Sequence, residues 1–490
     1  MVSQNPQWVS YVNPNPAPQP STGPAFIAGI AGTGVNSYFV DQNSQPRFHL
    51  LEEPWLIHAN GGRWGGTYQT DMDGYLTARA AQGYTAIVVA AFGSGHWSAA
   101  PFNDGRTWDG VPPFLGGNNI PAGANPGQLN NTFWTRFDYL FNKAKSVGIS
   151  VFLNLGLSYN WSDGTAGSPS VWYGLTDAQA QAFGTAIATR YPQSQYPNVF
   201  WFRNDDSDGS QDQFHEDMTT GILAAGDTRP AGACEYFPET TSHVELDTGA
   251  VYPSATSWGQ NHANWNWVYT YDPCYLGVER AYTDSKPVMV LWADGPYYGD
   301  TDNSTADYTI RRFCWWALAS GARGINATNG PTNDGGLVWM WQNGALAAVT
   351  TSDPNGPFCR VTVGTIVSYF TSLPGWYKLI ADTGNALVTA GRGTRSTNNA
   401  PGFSTPNYGN TDNYVAASRV SDGSLAVIYC GQHFSITIDQ TKMQAGYAAT
   451  WVDPVTCATT STSTGSSYSS TGQGNNSAGN PDWALVLHKP

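Results

Sequence analysis

The feature that most constrains the fold is a repeated unit in which a helix-like segment is followed by a short, wholly apolar run. Residues 72–82 have apolar side chains at helical spacing, Gly83 marks a helix end, and the run TAIVVAAF follows at residues 85–92. An apolar run of this length is typical of a strand buried on both faces. Two more copies of the unit follow, at residues 134–156 and 176–205. The alternation predicts a mixed α/β chain with parallel strands.

Further strand candidates bring the total to eight, with a helix at residues 308–319 before the last of them. The candidates are residues 48–51, 85–92, 149–156, 198–205, 233–237, 249–252, 287–293 and 323–327. Eight such units predict a (β/α)₈ TIM barrel, a fold of about 250 residues or more. The alternative, a doubly wound sheet, would need a Gly-rich phosphate loop after its first strand, and the sequence has none.

The barrel is expected to occupy residues 36–378, where a small hairpin with its turn at residues 41–46 leads into the first strand. Residues 1–35 are predicted to be a Pro-rich N-terminal arm. Residues 379–490 consist of short alternating segments separated by Gly, Asp and Ser, which predicts an all-β sandwich domain. Within this domain, the Ser/Thr/Gly-rich segment 459–477 is predicted to be a mobile loop.

Composition limits the possible partners. Charged residues are 12% of the chain, the net charge is −14, and no Lys/Arg cluster is present, so nucleic acid is not an expected partner. No apolar run approaches the ~20 residues needed to cross a bilayer, so no membrane insertion is expected. Aromatic residues make up 13% of the chain. They indicate either a core of large rings or a groove in which rings stack on sugars.

Metal and cofactor sites are not predicted. The six cysteines form no CxxC pair, no His residues have metal-ligand spacing, and DDSDGSQD at residues 205–212 is not an EF-hand loop. The cysteines are compatible with buried thiols or with one or two disulfides. A GxSxG nucleophile elbow is also missing, which disfavours Ser-His-Asp hydrolysis.

Acidic residues follow several of the predicted strands, at the end where barrels of this type carry their active sites. They are Glu52, Glu53, Asp205, Asp206, Glu235, Glu239 and Asp294. Cleavage of a glycosidic bond needs two facing carboxyl groups, one as acid and one as nucleophile or base. For any one of these residues, a cap of the following helix is an equally good interpretation.

Side chains suited to sugars occur in the same segments. His58 and His96 lie beside Trp and Asn residues, and a neutral imidazole bonds a hydroxyl well, although a structural histidine is the commoner outcome. Aromatic residues expected to border the mouth are Trp55, Trp64, Trp97, Trp292, Tyr297 and Tyr298. The predicted substrate-binding residues are Glu52, Trp55, His58, Asn60, His96, Trp97, Asn204, Trp292 and Tyr297.

Five segments together resemble, in order and spacing, the apiosidase-like barrel family of glycoside hydrolases. They are YFVDQNSQPRFHLLEEPWLIHANGG, YLTARAAQGYTAI, NVFWFRNDD, KPVMVLWADGPYYGD and RRFCWWALASGARGINATNG. The C-terminal segments AATWVDPVT and PDWALVLHK resemble a small β-sandwich, described as collagen-binding, that often follows this barrel. The resemblance covers residues 36–490 and implies a (β/α)₈ glycoside hydrolase, in which the sandwich is expected to support the barrel.

The resemblance also implies roles for individual residues. Asp205 matches the family's general acid/base, Glu52 matches an aspartate that binds a sugar hydroxyl, and Trp55 matches the family's tryptophan. The family places a Glu after its seventh strand. Counting forward from Lys286-Pro287 puts Trp292 at that position, and counting back from Tyr297-Tyr298-Gly299 puts Asp294 there. Asp294 is the nearest acid and the predicted second catalytic carboxylate.

The N-terminal segment WVSYVNPNPAPQP resembles minor tail proteins of phages that infect actinobacteria. This implies a virion tail location, contacts with other tail proteins through the arm, and action on host cell-wall glycan. It also accommodates a start that lacks a signal-peptide pattern. A homotrimer is one expected assembly, since tail fibres and tips are often trimeric. The leading hypothesis is a tail-associated glycoside hydrolase; a non-catalytic receptor-binding module and a purely structural tail protein are the alternatives.

Overall fold

The computed structural model describes residues 23–92, 105–120, 123–156, 171–202, 212–229, 231–236, 265–270, 273–282, 288–293, 303–326, 338, 341–350, 362–395 and 412–490. For residues 212, 231–236, 265–270, 280–281, 288–293, 303–307, 348 and 362 it describes the backbone only.

The described residues form strands throughout the chain and helices mainly in its first three quarters. The strands are β1 (Ile27–Ala31), β2 (Tyr38–Asp41), β3 (His49–Glu52), β4 (Ala86–Ala90), β5 (Phe114–Leu115), β6 (Asn125–Leu129), β7 (Ser150–Asn154), β8 (Val199–Phe202), β9 (Ala231–Tyr236), β10 (Trp265–Thr270), β11 (Val288–Ala293), β12 (Gly324–Asn326), β13 (Ile380–Ala381), β14 (Val388–Ala390), β15 (Ala416–Arg419), β16 (Leu425–Cys430), β17 (Ser435–Ile438), β18 (Ala448–Val452), β19 (Thr459–Thr462), β20 (Ser467–Ser469) and β21 (Trp483–His488). The α-helices are α1 (Ile57–Asn60), α2 (Tyr68–Ala81), α3 (Asn131–Ser146), α4 (Asp177–Arg190), α5 (Asp212–Ala224), α6 (Tyr275–Ala281), α7 (Asn303–Ala319), α8 (Ala345–Thr350) and α9 (Thr362–Ser372). Within these described ranges, no helix combines the length and apolar character needed to span a membrane.

Eight parallel strands close into a barrel. Their order around it is β3, β4, β7, β8, β9, β10, β11 and β12, and β12 pairs with β3. The mixed α/β class predicted from the sequence is confirmed, and seven predicted strands overlap barrel strands. The predicted sixth strand at residues 249–252 lies outside the described residues. The barrel strand between β9 and β11 is instead β10, so the predicted position of the sixth strand is wrong.

Side chains of the barrel strands alternate between an outer layer of helices and a filled interior. On β7, Val151 and Leu153 belong to the hydrophobic cluster that packs under the helices. Phe152, between them, stacks on Phe200 of β8 with ring centroids 5.1 Å apart. The interior is therefore a packed core, as expected for eight strands.

The amino-terminal end of the barrel is closed by the hairpin of β1 and β2. The Ile27 N–H donates to Ser150 Oγ at 2.8 Å, and Phe39 stacks on His49 with ring centroids 3.8 Å apart. Ser150 and His49 are the first residues of β7 and β3, so the hairpin covers the end opposite to the carboxyl ends of the strands. Strand β1 falls within the predicted arm, and the arm is therefore shorter than residues 1–35.

The C-terminal part contains two antiparallel sheets. One has six strands in the order β13, β15, β16, β21, β18, β19, and the other has three in the order β14, β17, β20. One hydrophobic cluster takes side chains from both sheets, for example Ile438 from the smaller and Ile428 from the larger. The two sheets therefore share a core.

The Ser/Thr-rich segment 459–477 is not a loop. It contains β19, which pairs with β18, and β20, which pairs with β17. Ser469 Oγ lies 2.7 Å from Ser435 Oγ across the second pair. The loop prediction is wrong because hydroxyl side chains, Thr above all, fit the exposed face of a sheet well.

A buried interface joins the barrel to the six-stranded sheet. Trp315 on α7 is fully buried, and its Nε1–H donates to the carbonyl oxygen of Pro454 at 2.9 Å. Arg311 on the same helix forms a buried ion pair with Asp482 at 2.9 Å. One hydrophobic cluster contains side chains from α7 and α9 together with β16 and β21. The two parts of the chain therefore share buried surface rather than meeting through a linker.

The four cysteines whose side chains are described, Cys274, Cys314, Cys430 and Cys457, are free thiols. Burial raises the pKa of the Cys314 thiol to about 12, so this thiol stays protonated and unreactive at neutral pH. The side chain of Cys234 and the whole of Cys359 lie outside the described residues.

Candidate active site

The carboxyl ends of the eight barrel strands lie on one face, and in barrels of this type that face carries the active site. Asp294 directly follows Ala293, the last residue of β11, and Asp205 comes three residues after Phe202, the last residue of β8. Both acids lie outside the described residues, so their catalytic roles stay predictions. The same holds for His96, Trp97, Asn204 and Tyr297.

Glu52, at the end of β3, is bonded inside the barrel wall. Its carboxylate is fully buried and accepts hydrogen bonds from Arg79 Nε and Nη2, and from the Tyr75 hydroxyl at 2.7 Å. Arg79 and Tyr75 belong to α2, so Glu52 points outward from the barrel. The prediction that Glu52 binds a sugar hydroxyl is therefore wrong, because both of its oxygens are bonded within the wall.

The neighbouring acid, Glu53, has the inward position. Successive side chains of a strand point to opposite faces, and His49 on β3 lies inside the barrel, 4.9 Å from the ring of Phe152. Glu53 is on the same side as His49. It is fully buried, and its Oε1 accepts a hydrogen bond from Asn326 Nδ2 at 2.8 Å. Since Asn326 is the last residue of β12, this bond joins the first and last barrel strands at the mouth.

Asn154 is a third buried polar side chain at the mouth of the barrel, and together with Glu53 and Asn326 it forms what we call the floor of the mouth. It is the last residue of β7, on the same side as Phe152. Its Oδ1 accepts the Gly156 N–H at 2.9 Å, while its buried Nδ2 has no hydrogen-bond partner in the described part. Among the described residues no cluster of His, Cys, Asp or Glu could hold a metal ion. The polar groups of the floor are one carboxylate and two amides, which are groups that can bond hydroxyls.

Glu53, Asn154 and Asn326 are absent from the predicted set of binding residues. The signal that identifies the first two is the period of two in HLLEE and SVFLN, in which every second residue faces the interior.

Three other predicted residues are placed by the structure. Trp55 is only 4% exposed, and its carbonyl oxygen accepts the Ala90 N–H at 3.1 Å. It therefore belongs to the wall of the mouth and has no open face for stacking on a sugar. Asn60 is buried at the end of α1. The backbone of Trp292 lies in β11, paired with Tyr269 and Asn326.

His58 is fully buried against α3. Its ring centroid lies 4.4 Å from that of Phe137 and 5.8 Å from that of Phe133, and within the described ranges neither ring nitrogen has a hydrogen-bond partner. Burial, helped by the nearby Arg136 guanidinium, lowers the pKa of His58 to about 3. The predicted sugar-binding role of His58 is therefore wrong, because the ring is a neutral part of the core.

The buried His58 should make stability depend on pH. Below pH ~6.5 a histidine in the unfolded chain binds a proton that the folded site, with its pKa of about 3, does not. The free energy of unfolding therefore falls as the pH falls, by about 2 kcal/mol for this residue between pH 7.5 and pH 5. His58→Leu should remove that part of the loss in urea unfolding at the two pH values. His433→Gln, at a half-buried position, is the control, and an unchanged pH dependence in His58→Leu would contradict the assignment.

Comparisons with known proteins agree with this architecture. A family model described as "Apiosidase-like, catalytic domain" matches residues 35–384. A structure titled "Glycoside hydrolase" superposes with a TM-score of 0.65 at 18% identity, covering 95% of this chain and 97% of that one. A glycoside hydrolase family 5 structure from Bacteroides vulgatus gives a TM-score of 0.64 at 16% identity, covering 95% of each chain. A search of the curated proteins found no match. Identities this low show likeness of fold, whereas the family model spans the whole barrel, and the chain therefore belongs to the apiosidase-like catalytic domain family.

Proposed function

We propose that this protein hydrolyses O-glycosidic bonds of a polysaccharide at the carboxyl face of its barrel. The observation that carries the proposal is the family match over residues 35–384, combined with an acid within three residues of the end of each of two barrel strands. Asp205 follows β8 and Asp294 follows β11, the fourth and seventh strands. Asp205 protonates the leaving oxygen, and Asp294 acts as nucleophile or as base for water.

The described floor of the mouth fits this chemistry. Glu53, Asn326 and Asn154 give the floor of the mouth buried carboxylate and amide groups, and none of them needs to transfer a proton. The stereochemical outcome depends on the separation of the two catalytic carboxyl groups, about 5–5.5 Å for retention and roughly 6.5–9.5 Å for inversion.

We assign host cell-wall glycan as the substrate and a phage tail as the location. The support is the resemblance of the N-terminal segment to minor tail proteins of actinobacteriophages. The C-terminal part, interpreted as a β-sandwich, buttresses the barrel, and this interpretation is supported by the buried contacts of Trp315 and Arg311.

The test measures reducing sugar released from purified actinobacterial cell walls by the full chain. Asp205→Asn and Asp294→Asn should each lower the rate about a hundredfold or more, the effect expected when a general acid or its partner carboxylate is lost. Asp422→Asn, in an exposed turn of the C-terminal part, is the control for loss of a carboxylate. An antibody against this chain should block release by purified virions, and release that continues unchanged would contradict the tail location.

The Asp in place of the family's Glu favours a second candidate function. The shorter side chain sets the carboxyl group back by one methylene, which favours a barrel that binds glycan without cleaving it. If the wild-type protein binds cell walls but releases no sugar, its function is receptor binding and not hydrolysis. Release that is unaffected by Asp205→Asn would instead show that the catalytic assignment is wrong.

A further inference from the structure

Large exposed hydrophobic side chains concentrate on one face of the barrel. In the described part of the chain, they are Trp64, Trp108, Leu115 and Tyr173. These residues lie in the segments that follow β3, β4 and β7, the first three barrel strands. Because those segments start at the carboxyl ends of the strands, the exposed side chains lie on the face of the candidate active site.

Trp64 and Trp108 are held in place through their polar atoms. Trp108 Nε1–H donates to the carbonyl oxygen of Gly61 at 3.0 Å, and its backbone N–H donates to Ala59 at 3.0 Å. Trp64 Nε1–H donates to the carbonyl oxygen of Trp341 at 3.4 Å. Both indole N–H groups are therefore bonded to backbone carbonyl oxygens, and the remaining atoms of each indole are ring carbons that can contact a ligand.

The loop beneath the two rings is itself fixed. Asp71 Oδ2 on α2 accepts the Gly62 N–H and the Trp341 Nε1–H, both at 2.9 Å. The Arg63 guanidinium lies 4.6 Å from the centroid of the Trp64 ring, and Trp64 as a whole is 49% exposed. An exposed ring that is already held in place loses little entropy when a flat ligand stacks on it.

We propose that Trp64 and Trp108 form an outer platform that binds a glycan chain beyond the mouth of the barrel. The proposal rests on the proposed function and names its substrate class as a polymer held over several sugar units. The segment that follows β3 contains both Glu53, which is bonded at the mouth, and Trp64, which is exposed, so the platform lies in the same loop as a residue of the candidate site. Apolar sugar faces stack on such rings, while the surrounding hydroxyls stay in water.

The first experiment measures binding in affinity gels that contain soluble polysaccharide from actinobacterial cell walls. Each of Trp64→Ala and Trp108→Ala should weaken binding roughly threefold to tenfold, and the double variant more, as expected for loss of a stacked ring. Trp64→Phe should retain most of the binding. Leu115→Ala is the matched control because Leu115 is exposed on the same face but has no ring. Unchanged binding in the double variant would overturn the proposal, as would an equal loss in Leu115→Ala, which would indicate a general apolar contact with a protein.

The second experiment separates this proposal from the proposed function. On long chains the double variant should raise KM about tenfold and leave kcat unchanged, and on fragments of one to three sugars both constants should match the wild type. Equal losses on long and short substrates would overturn the platform while leaving hydrolysis intact. If the wild type cleaves neither substrate, the proposed function fails, and the gel measurement still decides the platform. Near-ultraviolet circular dichroism of each variant checks that the barrel remains folded.

Discussion

Arg79→Met should lower the free energy of unfolding by about 3–5 kcal/mol, the cost of leaving one partner of a buried ion pair uncompensated. Arg79 and Glu52 are both fully buried, and the guanidinium bonds both oxygens of the carboxylate. Burial is the largest single effect and lowers the pKa of Arg79, but the attraction of Glu52, together with the effects of Tyr84 and Tyr75 and the hydrogen bonds to Glu52, outweighs it. The net result raises the pKa of Arg79 above its ordinary value. The guanidinium also lies 4.9 Å from the ring centroid of Tyr84. Urea unfolding at pH 7.5 measures the loss.

The design of this test distinguishes a structural Glu52 from a sugar-binding one. Adding Glu52→Gln to Arg79→Met removes the stranded charge, so the double variant should lose less stability than the sum of the two single variants. Lys143→Met breaks the partly exposed pair with Asp73 and should cost less than about 1 kcal/mol. If Glu52→Gln keeps full stability but loses sugar binding, the structural assignment of Glu52 is wrong.

Asp482→Ala should also cost about 3–5 kcal/mol, because it leaves the buried Arg311 guanidinium without its counter-ion. The Asp482 carboxylate accepts two hydrogen bonds from Arg311, one from the Tyr429 hydroxyl at 2.9 Å and one from Asn476 Nδ2 at 2.6 Å. Arg311 belongs to a barrel helix, whereas the other three residues belong to the C-terminal part. The loss should therefore lower the stability of both parts together.

Differential scanning calorimetry tests this coupling. The wild type and Asp482→Ala should each unfold in one transition, and the transition of the variant should occur at lower temperature. Asp422→Ala, an exposed acid in the same C-terminal part, is the control and should change the midpoint little. Two separate transitions, with the barrel transition unmoved in Asp482→Ala, would show that the interface does not join the two parts energetically.

The periodic part of the fold could be predicted from the sequence, because a strand buried on both faces must be wholly apolar. The predicted second strand, for example, contains β4 completely. The sixth strand could not be found in this way. Its sequence WNWVYT contains the polar residues Asn266 and Thr270 and lies in a region rich in Asn and Trp, so no apolar run sets it apart. The two strands in segment 459–477 could not be predicted either, because its Ser/Thr-rich composition suggests a loop and carries no information about cross-strand pairing.

The candidate site was predictable at the level of the face but less so at the level of side chains. The family pattern pointed to Glu52, whereas the alternation within β3 sends that residue outward and Glu53 inward. His58 illustrates the same limit, because an imidazole beside polar residues in the sequence packs between phenylalanines from a distant helix. Contacts between segments far apart in the chain decide these cases, and no local pattern records them.

The hairpin that closes the amino-terminal end of the barrel also determines where the chain enters the barrel relative to its mouth. Arg47 Nη2 donates to the carbonyl oxygen of Ala25 at 3.1 Å, and Ile27 is bonded to Ser150 at the start of β7. The chain therefore enters the barrel at its rear, one full strand length from the mouth. If the protein is held at this hairpin, the mouth of the barrel lies at the opposite end and faces away from the point of attachment.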